Sequence, residues 1–301
     1  MKRITCALFL GALLFPLAAE EASVLGENVL RITLAPVVFG FAGDEWDDQG
    51  QRKKFDGIGF YNMGLGAEYG VTGALTAFVQ WAPGANLWSD GPDGGEIGPL
   101  SDVFLGGKGQ IIGGEGPVRR EDMRLSAALA VKAPLPSGKN TVRELDSHLW
   151  GLAARAYYDY VFFPFFFLNG YTEFIYYPEQ RADNPNFGSG RVYHPLDITI
   201  EIEPRFVWDV AEGIRLVAGI PLTYRVAPET TLDGRGLGND RHRFSIGPNA
   251  GILLSQFAVR DFSLPFELDL GFDIAAAGKN DAAINRFTLL IKLMPPLPAR
   301  R

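Results

Sequence analysis

The sequence predicts an all-β protein, a transmembrane antiparallel up-and-down β-barrel of about twelve strands. Three observations predict it: long runs of alternating apolar and polar residues, a regular alternation of short and long connections, and an amino-terminal export segment. Alternation of this kind places apolar side chains on one face of a strand and polar side chains on the other. Together the three observations favour a membrane barrel over a soluble protein.

The clearest alternation runs from Leu196 to Val210, where even-numbered positions are apolar and most odd-numbered positions are charged. A second run, from Phe262 to Ile274, alternates in the same way. Strands of soluble sandwiches average about five or six residues, whereas a tilted strand that crosses a bilayer needs about 9–11. Because these runs reach about 15 and 13 residues, they indicate membrane-spanning strands.

Twelve segments of this kind follow one another along the chain. They lie near residues 28–39, 58–71, 74–82, 100–112, 122–134, 148–162, 164–177, 196–210, 213–226, 242–255, 262–274 and 284–294. The connections after the first, third, fifth, seventh and ninth strands are long and rich in Gly, Asp and Pro, whereas those after even-numbered strands are short. Short periplasmic turns that alternate with longer external loops are typical of such barrels. This pattern predicts that both termini lie in the periplasm.

The first residues predict a secretory signal peptide. Two basic residues precede an apolar run over 4–17, and two alanines precede a pair of glutamates, which is the typical order of a leader. The run is shorter than the about 20 residues of a membrane-spanning helix. With cleavage after Ala19, we expect a signal peptide over 1–19 and an outer-membrane barrel over 20–301, with strands over about 28–294 and a periplasmic tail over 295–301. The expected location is the outer membrane of a diderm bacterium.

Composition excludes several other classes of protein. The net charge of −7 does not suit a nucleic-acid-binding surface. The only cysteine, Cys6, lies inside the leader, so the mature chain has no thiol for a disulfide or a metal site. We expect no cofactor and no metal. The expected partners are outer-membrane lipid, a small-molecule solute and the barrel assembly machinery, and the sequence leaves the oligomeric state open.

Strand parity predicts which charged side chains face the barrel interior, the lumen through which a solute would pass. The acidic ones are Glu68, Asp102, Asp159, Glu173, Asp197, Glu201, Glu203, Asp209, Glu267, Asp269 and Asp273, and the basic ones are Arg31, Lys108, Arg124, Lys132, Arg155, Arg205, Arg215, Arg225, Arg286 and Lys292. Acids concentrate on the eighth and eleventh strands, and bases on the fifth, ninth and twelfth. Asp209 and Arg215 are expected to be cross-strand neighbours beside a tight turn. The sequence allows both an open pore and a closed lumen filled by a salt-bridge network.

Two stretches carry a family resemblance. They are the Gly-rich stretch from Gly64 to Trp81, and the stretch Ser101–Lys108 together with Leu125–Gly138, which ends Ala-Val-Lys-Ala-Pro-Leu-Pro-Ser-Gly. Both resemble the outer-membrane proteins grouped with the meta-pathway of phenol degradation, which are similar to the long-chain fatty-acid and toluene channels. The resemblance implies uptake of small hydrophobic or aromatic molecules. Fatty-acid channels have an amino-terminal plug, whereas only about eight residues precede the first strand here.

Catalytic and metal sites are less consistent with the sequence. His242 and Ser245 are three positions apart on one strand and point to opposite faces, so they cannot pair as a base and a nucleophile. Parity places His148, His194 and His242 on the outward side near the loops, as interfacial residues. We therefore expect no enzyme. The acidic residues around Trp46, at positions 44, 45, 47 and 48, lack the spacing of a calcium loop and indicate a solvated acidic loop.

The function predicted from these observations is that of an outer-membrane channel for the passive passage of small solutes, hydrophobic or aromatic ones included, through a mixed-charge lumen. The alternative is a surface-exposed structural or adhesin barrel that acts through its external loops, near residues 83–99, 178–195 and 226–241.

Overall fold

The computed structural model describes residues 22–89, 102–113, 123–134, 149–184, 188–256, 258–259 and 262–295. These residues form a closed antiparallel barrel of twelve strands, which confirms the predicted fold class. The expected signal peptide and most of the expected tail lie outside the described residues. Within the described ranges, no helix is long and apolar enough to cross a membrane.

The barrel strands are numbered here in chain order. They are β1 (Leu30–Trp46), β2 (Arg52–Thr72), β3 (Leu75–Ser89), β4 (Asp102–Ile112), β5 (Met123–Pro134), β6 (Gly151–Phe163), β7 (Phe166–Tyr176), β8 (Asp197–Ala211), β9 (Ile214–Gly219 and Leu222–Ala227), β10 (Arg241–Ile246 and Asn249–Leu254), β11 (Phe266–Lys279) and β12 (Asn285–Leu293). Each strand pairs with the next, and β12 pairs with β1, where Lys292 lies opposite Thr33 and closes the barrel.

The alternation of apolar and polar residues in the sequence gives each strand an apolar outer face and an inner face that points into the barrel. In β5, Leu129 is 72% exposed on the outer face, whereas its neighbours Ala128 and Ala130 are buried on the inner face. Large exposed apolar side chains recur on the outer face of the other strands, among them Leu105, Ile200 and Phe272. A lipid-facing belt of this kind is what a transmembrane barrel requires.

The first hairpin is longer than the sequence predicts. Pairing continues to Trp46 opposite Arg52, so only residues 47–51 connect β1 and β2. Asp47 Oδ1 accepts the N–H groups of Gln49 and Gln51 at 3.0 and 2.8 Å, and Gly50 adopts a positive φ of 75° that favours glycine. The expectation of a solvated acidic loop is therefore wrong for Asp44 and Glu45, which lie in β1 beside the buried Trp46, whereas Asp47 and Asp48 do lie in the connection.

Prolines interrupt two strands on one side of the barrel. β9 breaks at Pro221 and β10 breaks at Pro248, because proline has no N–H to donate to the ladder. The backbone compensates locally: the N–H of Gly247 donates to the carbonyl of Pro221 at 2.8 Å, and that of Ile220 donates to Pro204 at 3.1 Å. Each predicted strand is therefore present as two consecutive segments.

We call the two ends of the barrel the short-turn end, where β2 meets β3 and β8 meets β9, and the long-loop end. At the long-loop end, the connections after β7 and β9 form a four-stranded sheet, from Gln180–Asn184, Gly188–Tyr193, Thr231–Leu232 and Arg235–Gly236. A short strand, Asp281–Ala282, pairs with β1. Residues 262–263, expected to begin the eleventh strand, instead pair with 258–259 in a separate hairpin.

Candidate functional site: the barrel interior

A segment that precedes β1 lies inside the barrel at the short-turn end. We call Ala22–Gly26 the amino-terminal segment. The N–H of Val24 donates to Gln110 Oε1 at 3.0 Å, and that of Leu25 donates to Thr76 Oγ1 at 2.8 Å. Ala22 and Val24 are completely buried, and Leu25 is 4% exposed. Because Thr76 and Gln110 point inward from β3 and β4, the segment occupies space in the lumen.

Sequence reasoning missed this segment, because it treated the residues before β1 as too few to form a plug. One signal was present in a neighbouring strand. A Cβ atom at Gly70 would lie 1.9 Å from the carbonyl oxygen of Gly26, so only glycine allows the segment to approach β2 this closely. Asn28 N–H donates to the Gly70 carbonyl at 2.9 Å and holds the approach in place.

One half of the interior carries a cluster of apolar side chains. We define the apolar wall as the buried apolar inner side chains of β3 to β7, which form one cluster with Ala22. Charged side chains of the same strands, among them Lys108, Lys132 and Arg155, are buried beside this cluster. The members of the apolar wall are Phe78, Phe104, Ala128, Ala130, Ala153, Tyr157, Tyr171 and Ile175. The rings of Tyr157 and Tyr171 lie 5.2 Å apart. Strand parity also places these rings inside, although the interior set predicted from the sequence contains only charged side chains.

Cations of the apolar wall lie over aromatic rings. The guanidinium of Arg155 lies 4.9 Å from the ring of Phe104, donates from Nε to Glu173 Oε2 at 2.6 Å, and donates from Nη1 to Gln80 Oε1 at 2.7 Å. The Nζ of Lys108 lies 5.2 Å from the ring of Tyr157. Ring faces attract cations most strongly where water is excluded. These charges are therefore compensated without opening the wall to solvent.

The other half of the interior is polar. We define the charged wall as the inner side chains of β8 to β12. Arg205 Nη2 lies 3.5 Å from Glu267 Oε1, and Lys292 Nζ lies 3.1 Å from the same oxygen. Since β9 and β10 separate β8 from β11, the contact between Arg205 and Glu267 crosses the interior. Asn249 donates to Glu203 Oε1 at 2.7 Å, so the network joins four strands.

Arginines concentrate on the charged wall near the long-loop end. Arg225 lies opposite Arg243 in the register of β9 and β10. Arg243 Nη1 is 3.7 Å from Asp281 Oδ2, and Arg286 donates to Asp273 at 3.0 Å. Asp281 lies in the connection between β11 and β12, and burial raises its pKa above the ordinary value despite the nearby arginines. Arg243 and Asp281 were absent from the predicted interior set.

His194 joins the four-stranded sheet at the long-loop end to the barrel. It is 2% exposed, with Nδ1 2.7 Å from Thr230 Oγ1 and Nε2 2.7 Å from Asp197 Oδ1. Tyr177 donates to the other oxygen of Asp197 at 2.8 Å. The expectation that His194 faces outward is wrong, because the loop folds back over the strand ends. His242 is only half-buried, and His148 lies outside the described residues.

The Thr230–His194–Asp197 arrangement has the residue types of a catalytic triad. The Thr230 side chain is 1% exposed, however, and a nucleophile must reach its substrate. The contacts instead fix the loop after β9 against the start of β8. Among the described residues, no group of three or more His, Cys, Asp or Glu side chains has the arrangement of a metal site.

Most of the charged residues that parity assigned to the interior are buried or half-buried in the structure. Arg124 and Asp159 lie opposite each other in β5 and β6, and Lys132 Nζ lies 3.3 Å from Asp102 Oδ2. The exceptions lie at the short-turn end. Asp209 and Arg215 form the expected cross-strand pair, with Arg215 Nε 2.7 Å from Asp209 Oδ1, but both side chains are exposed.

No family model matches the sequence, and no curated protein matches it. Among solved structures, an outer-membrane channel from Pseudomonas putida F1 superposes with a TM-score of 0.68 at 16% identity, over 92% of this chain and 98% of that chain. The chain has the fold of that outer-membrane channel. The NanC porin and the CymD monoaromatic hydrocarbon channel match at TM-scores of 0.42 and 0.41, with 5% and 8% identity. They cover 87% and 92% of this chain, and 100% and 90% of their own chains. At 16% identity, the likeness to the channel from Pseudomonas putida F1 is one of fold.

Proposed function

We propose that the chain is an outer-membrane channel for the passive passage of small solutes, hydrophobic or aromatic ones included, through a mixed-charge lumen. The observation that carries the proposal is the mixed interior, in which a cluster of buried aromatic and apolar side chains lies beside ion pairs inside a closed barrel. Apolar pockets with a few polar groups are typical of sites for small molecules. The inward charged residues predicted from parity would line the passage.

The setting supports the same proposal. The outer belt of apolar side chains suits contact with lipid, and the protein from Pseudomonas putida F1 that shares the fold is described as an outer-membrane channel.

We propose that the short-turn end, which carries both termini of the barrel, faces the periplasm. Cysteines introduced at Gln49 and at Gln256 test this orientation. Their reaction with a membrane-impermeant thiol reagent is measured on intact cells.

The amino-terminal segment controls how wide the proposed passage is. Its burial against β2, β3 and β4 narrows the lumen at the short-turn end. Passage therefore occurs beside the segment or after it moves. In both cases, removal of Ala22–Gly26 enlarges the opening.

Reconstitution tests the proposal. The barrel and a variant that lacks residues 22–26 are refolded into planar bilayers and liposomes, and conductance and solute-driven swelling are measured. We expect small conductance from the complete barrel and at least a severalfold larger conductance from the variant. Heat-modifiable migration and circular dichroism confirm that both are folded. Absence of conductance and of uptake in both folded proteins would refute the channel.

One observation favours a second function, that of a structural or adhesin barrel. The four-stranded external sheet is anchored by the buried contacts of His194 and Thr230, which gives the loops a defined shape. If the loops bind a host factor, replacing 178–195 and 226–241 abolishes that binding and leaves permeability unchanged. Loss of permeability alone would favour the channel.

A further inference from the structure

The connection between β11 and β12 is buried at the long-loop end of the barrel. We call its residues, 280–284, the strap. Asp281, Ala282, Ala283 and Ile284 are 2%, 0%, 1% and 6% exposed. Connections between strands normally run over the surface, where their side chains are accessible to solvent. The strap is therefore packed against other parts of the protein instead of extending into solvent.

Contacts with β1 hold one side of the strap. Asp281 pairs with Trp46 in the register of β1, and the N–H of Ala283 donates to the carbonyl of Asp44 at 2.8 Å. Trp46, Ala275 and Ala283 also form one buried apolar cluster. Backbone pairing and apolar packing together give the strap a defined position on this side of the barrel.

The carboxylate of Asp281 points toward the charged wall. Its Oδ2 atom lies 3.7 Å from Nη1 of Arg243 in β10. Asp281 also lines a cavity together with Glu173 and Ile175 of β7. In a closed barrel of twelve strands, β1 and β7 lie on opposite sides. The strap therefore extends from β1 into the interior, and the cavity lies between the strap and the wall of β7 to β10.

The cavity leaves little room beside Asp281. Its volume is about 40 Å³, and one water needs about 10–15 Å³, so only a few waters fit. A solute or ion that passes between the strap and β7 therefore comes into contact with the Asp281 carboxylate.

The charges around the cavity are matched within the chain. Asp281 interacts electrostatically with Arg225, Arg241 and Arg243. The same network contains four carboxylates and four guanidinium groups, those of Asp197, Glu201, Asp273 and Asp281 and those of Arg225, Arg241, Arg243 and Arg286. Loss of the Asp281 charge would leave the arginines in excess. In a narrow space with little water, such an excess favours the entry of anions.

We propose that the strap forms a constriction of the passage at the long-loop end, and that Asp281 determines the preference of this constriction between cations and anions. The inference rests on the proposed channel function and concerns the selectivity of that same passage. The arginines of the charged wall attract anions, and the carboxylate that the strap places among them offsets this attraction.

Ion selectivity of the refolded full-length barrel in planar bilayers tests the proposal. The ratio of chloride to potassium permeability is obtained from the reversal potential under a potassium chloride gradient. The buffer is mildly alkaline, because burial raises the pKa of Asp281. Asp281→Asn should raise the ratio severalfold, whereas Asp281→Glu, which keeps the charge, should retain it.

The matched control is Asp48→Asn. It removes the same charge from an exposed position in the connection between β1 and β2, at the same end of the barrel, and should leave the permeability ratio unchanged. All variants are also measured without residues 22–26, so that the amino-terminal segment does not limit the current.

Chemical modification tests both parts of the proposal within one folded channel. Asp281→Cys is combined with Cys6→Ser, because Cys6 is the only native cysteine. A thiol reagent that attaches a negative group should restore the original permeability ratio, and one that attaches a positive group should raise the ratio further. A bulky neutral reagent should reduce the conductance by at least half in Asp281→Cys and leave it unchanged in Asp48→Cys.

The outcomes separate this inference from the proposed function. A barrel that conducts with the same permeability ratio whatever the charge at residue 281, or that is not blocked by the bulky group there, overturns the inference and leaves the channel intact. Absence of conductance from the complete barrel and from the variant without residues 22–26 refutes the channel, and the inference with it.

Discussion

The apolar wall and the charged wall stabilise buried charges in different ways. Both carry charges inside a barrel, where an uncompensated ion costs several kcal/mol. On the apolar wall, Arg155 is surrounded by two rings, a carboxylate and an amide. On the charged wall, the Glu267 carboxylate is shared between two bases, Arg205 and Lys292. The difference predicts that the two walls respond differently to the loss of one charge.

On the apolar side, the Glu173 carboxylate forms its ion pair with one base, Arg155, whereas Glu267 of the charged wall contacts two bases. When one base of the charged wall is removed, Glu267 keeps the other. The amino-terminal segment also packs against the apolar wall, through Ala22. The apolar wall is therefore the more specific of the two surfaces, and substitutions there should have the larger effects.

The largest expected effect follows from Arg155→Met. The substitution keeps much of the side-chain volume but leaves the Glu173 carboxylate without its 2.6 Å partner inside the barrel. Removing one member of a buried ion pair costs about 3–5 kcal/mol. We expect the free energy of unfolding, measured by urea titration in lipid vesicles, to fall by about that amount.

The control is the double variant Arg155→Met with Glu173→Met, which removes both charges. Replacing a complete buried pair by apolar residues is often neutral or stabilising, so most of the lost free energy should return. Two outcomes would contradict this prediction: a loss of unfolding free energy below about 1 kcal/mol in the single variant, or a double variant no more stable than the single. Either would show that Glu173 does not depend on Arg155 for its compensation.

The fold could be predicted from the sequence because its determinants are local. Apolar–polar alternation reports the two faces of a strand directly, and Leu129 and Ala130 take the faces that parity gives them. Contacts across the lumen produce no such pattern in the sequence. The bond between Arg205 and Glu267 depends on strand tilt and on barrel width, which parity does not contain.

The second expected effect concerns the amino-terminal segment on the apolar wall. In Gly70→Ala, the new methyl group would lie 1.9 Å from the Gly26 carbonyl oxygen, so the segment must shift. Overpacking of this kind costs about 1–3 kcal/mol. We expect a larger single-channel conductance and faster proteolysis of the segment in the folded barrel.

Gly107→Ala is the matched control, because a Cβ atom there meets only atoms 3.8 Å away. It should leave both measurements unchanged. Unaltered conductance and proteolysis in Gly70→Ala would show that the segment does not depend on its close approach to β2.

Other parts of the site were inaccessible to sequence reasoning because loops define them. His194 lies after a connection that folds back over the barrel, so its position follows from the contacts with Thr230 and Asp197 rather than from strand parity. Arg241 and Asp281 were omitted for a similar reason, since they lie just before the predicted strands 242–255 and 284–294.

A smaller effect is expected at the short-turn end of the charged wall. The side chains of Asp209 and Arg215 are 73% and 46% exposed. Exposed ion pairs contribute about 0–1 kcal/mol to stability. Arg215→Gln should therefore lower the free energy of unfolding by less than about 1 kcal/mol, and added salt should reduce the difference. A loss as large as that of Arg155→Met would contradict the distinction between buried and exposed pairs.

The smallest effect is expected where the charged wall continues into solvent, at Asp240. Lys279 Nζ lies 2.6 Å from Asp240 Oδ2, and this hydrogen bond holds the pKa of Asp240 below its ordinary value. Because the folded-state pKa is lowered, the pair stabilises the barrel above the ordinary carboxyl pKa, and the stabilisation is lost as the pH falls through the folded-state value. In Lys279→Met, we expect the pKa of Asp240, followed by ¹³C NMR titration, to rise.

The rise should be incomplete, because Asn280 Nδ2 still donates to Asp240 at 3.2 Å. The carboxyl of Asp47 provides the internal reference: its pKa is lowered by a different lysine, Lys53, and by the N–H of Gln51. If the pKa of Asp240 does not change in Lys279→Met, or if the pKa of Asp47 shifts equally, the contact with Lys279 is not the cause of the lowered pKa of Asp240. Long-range charge, rather than the 2.6 Å hydrogen bond, would then determine the ionisation of this end of the barrel.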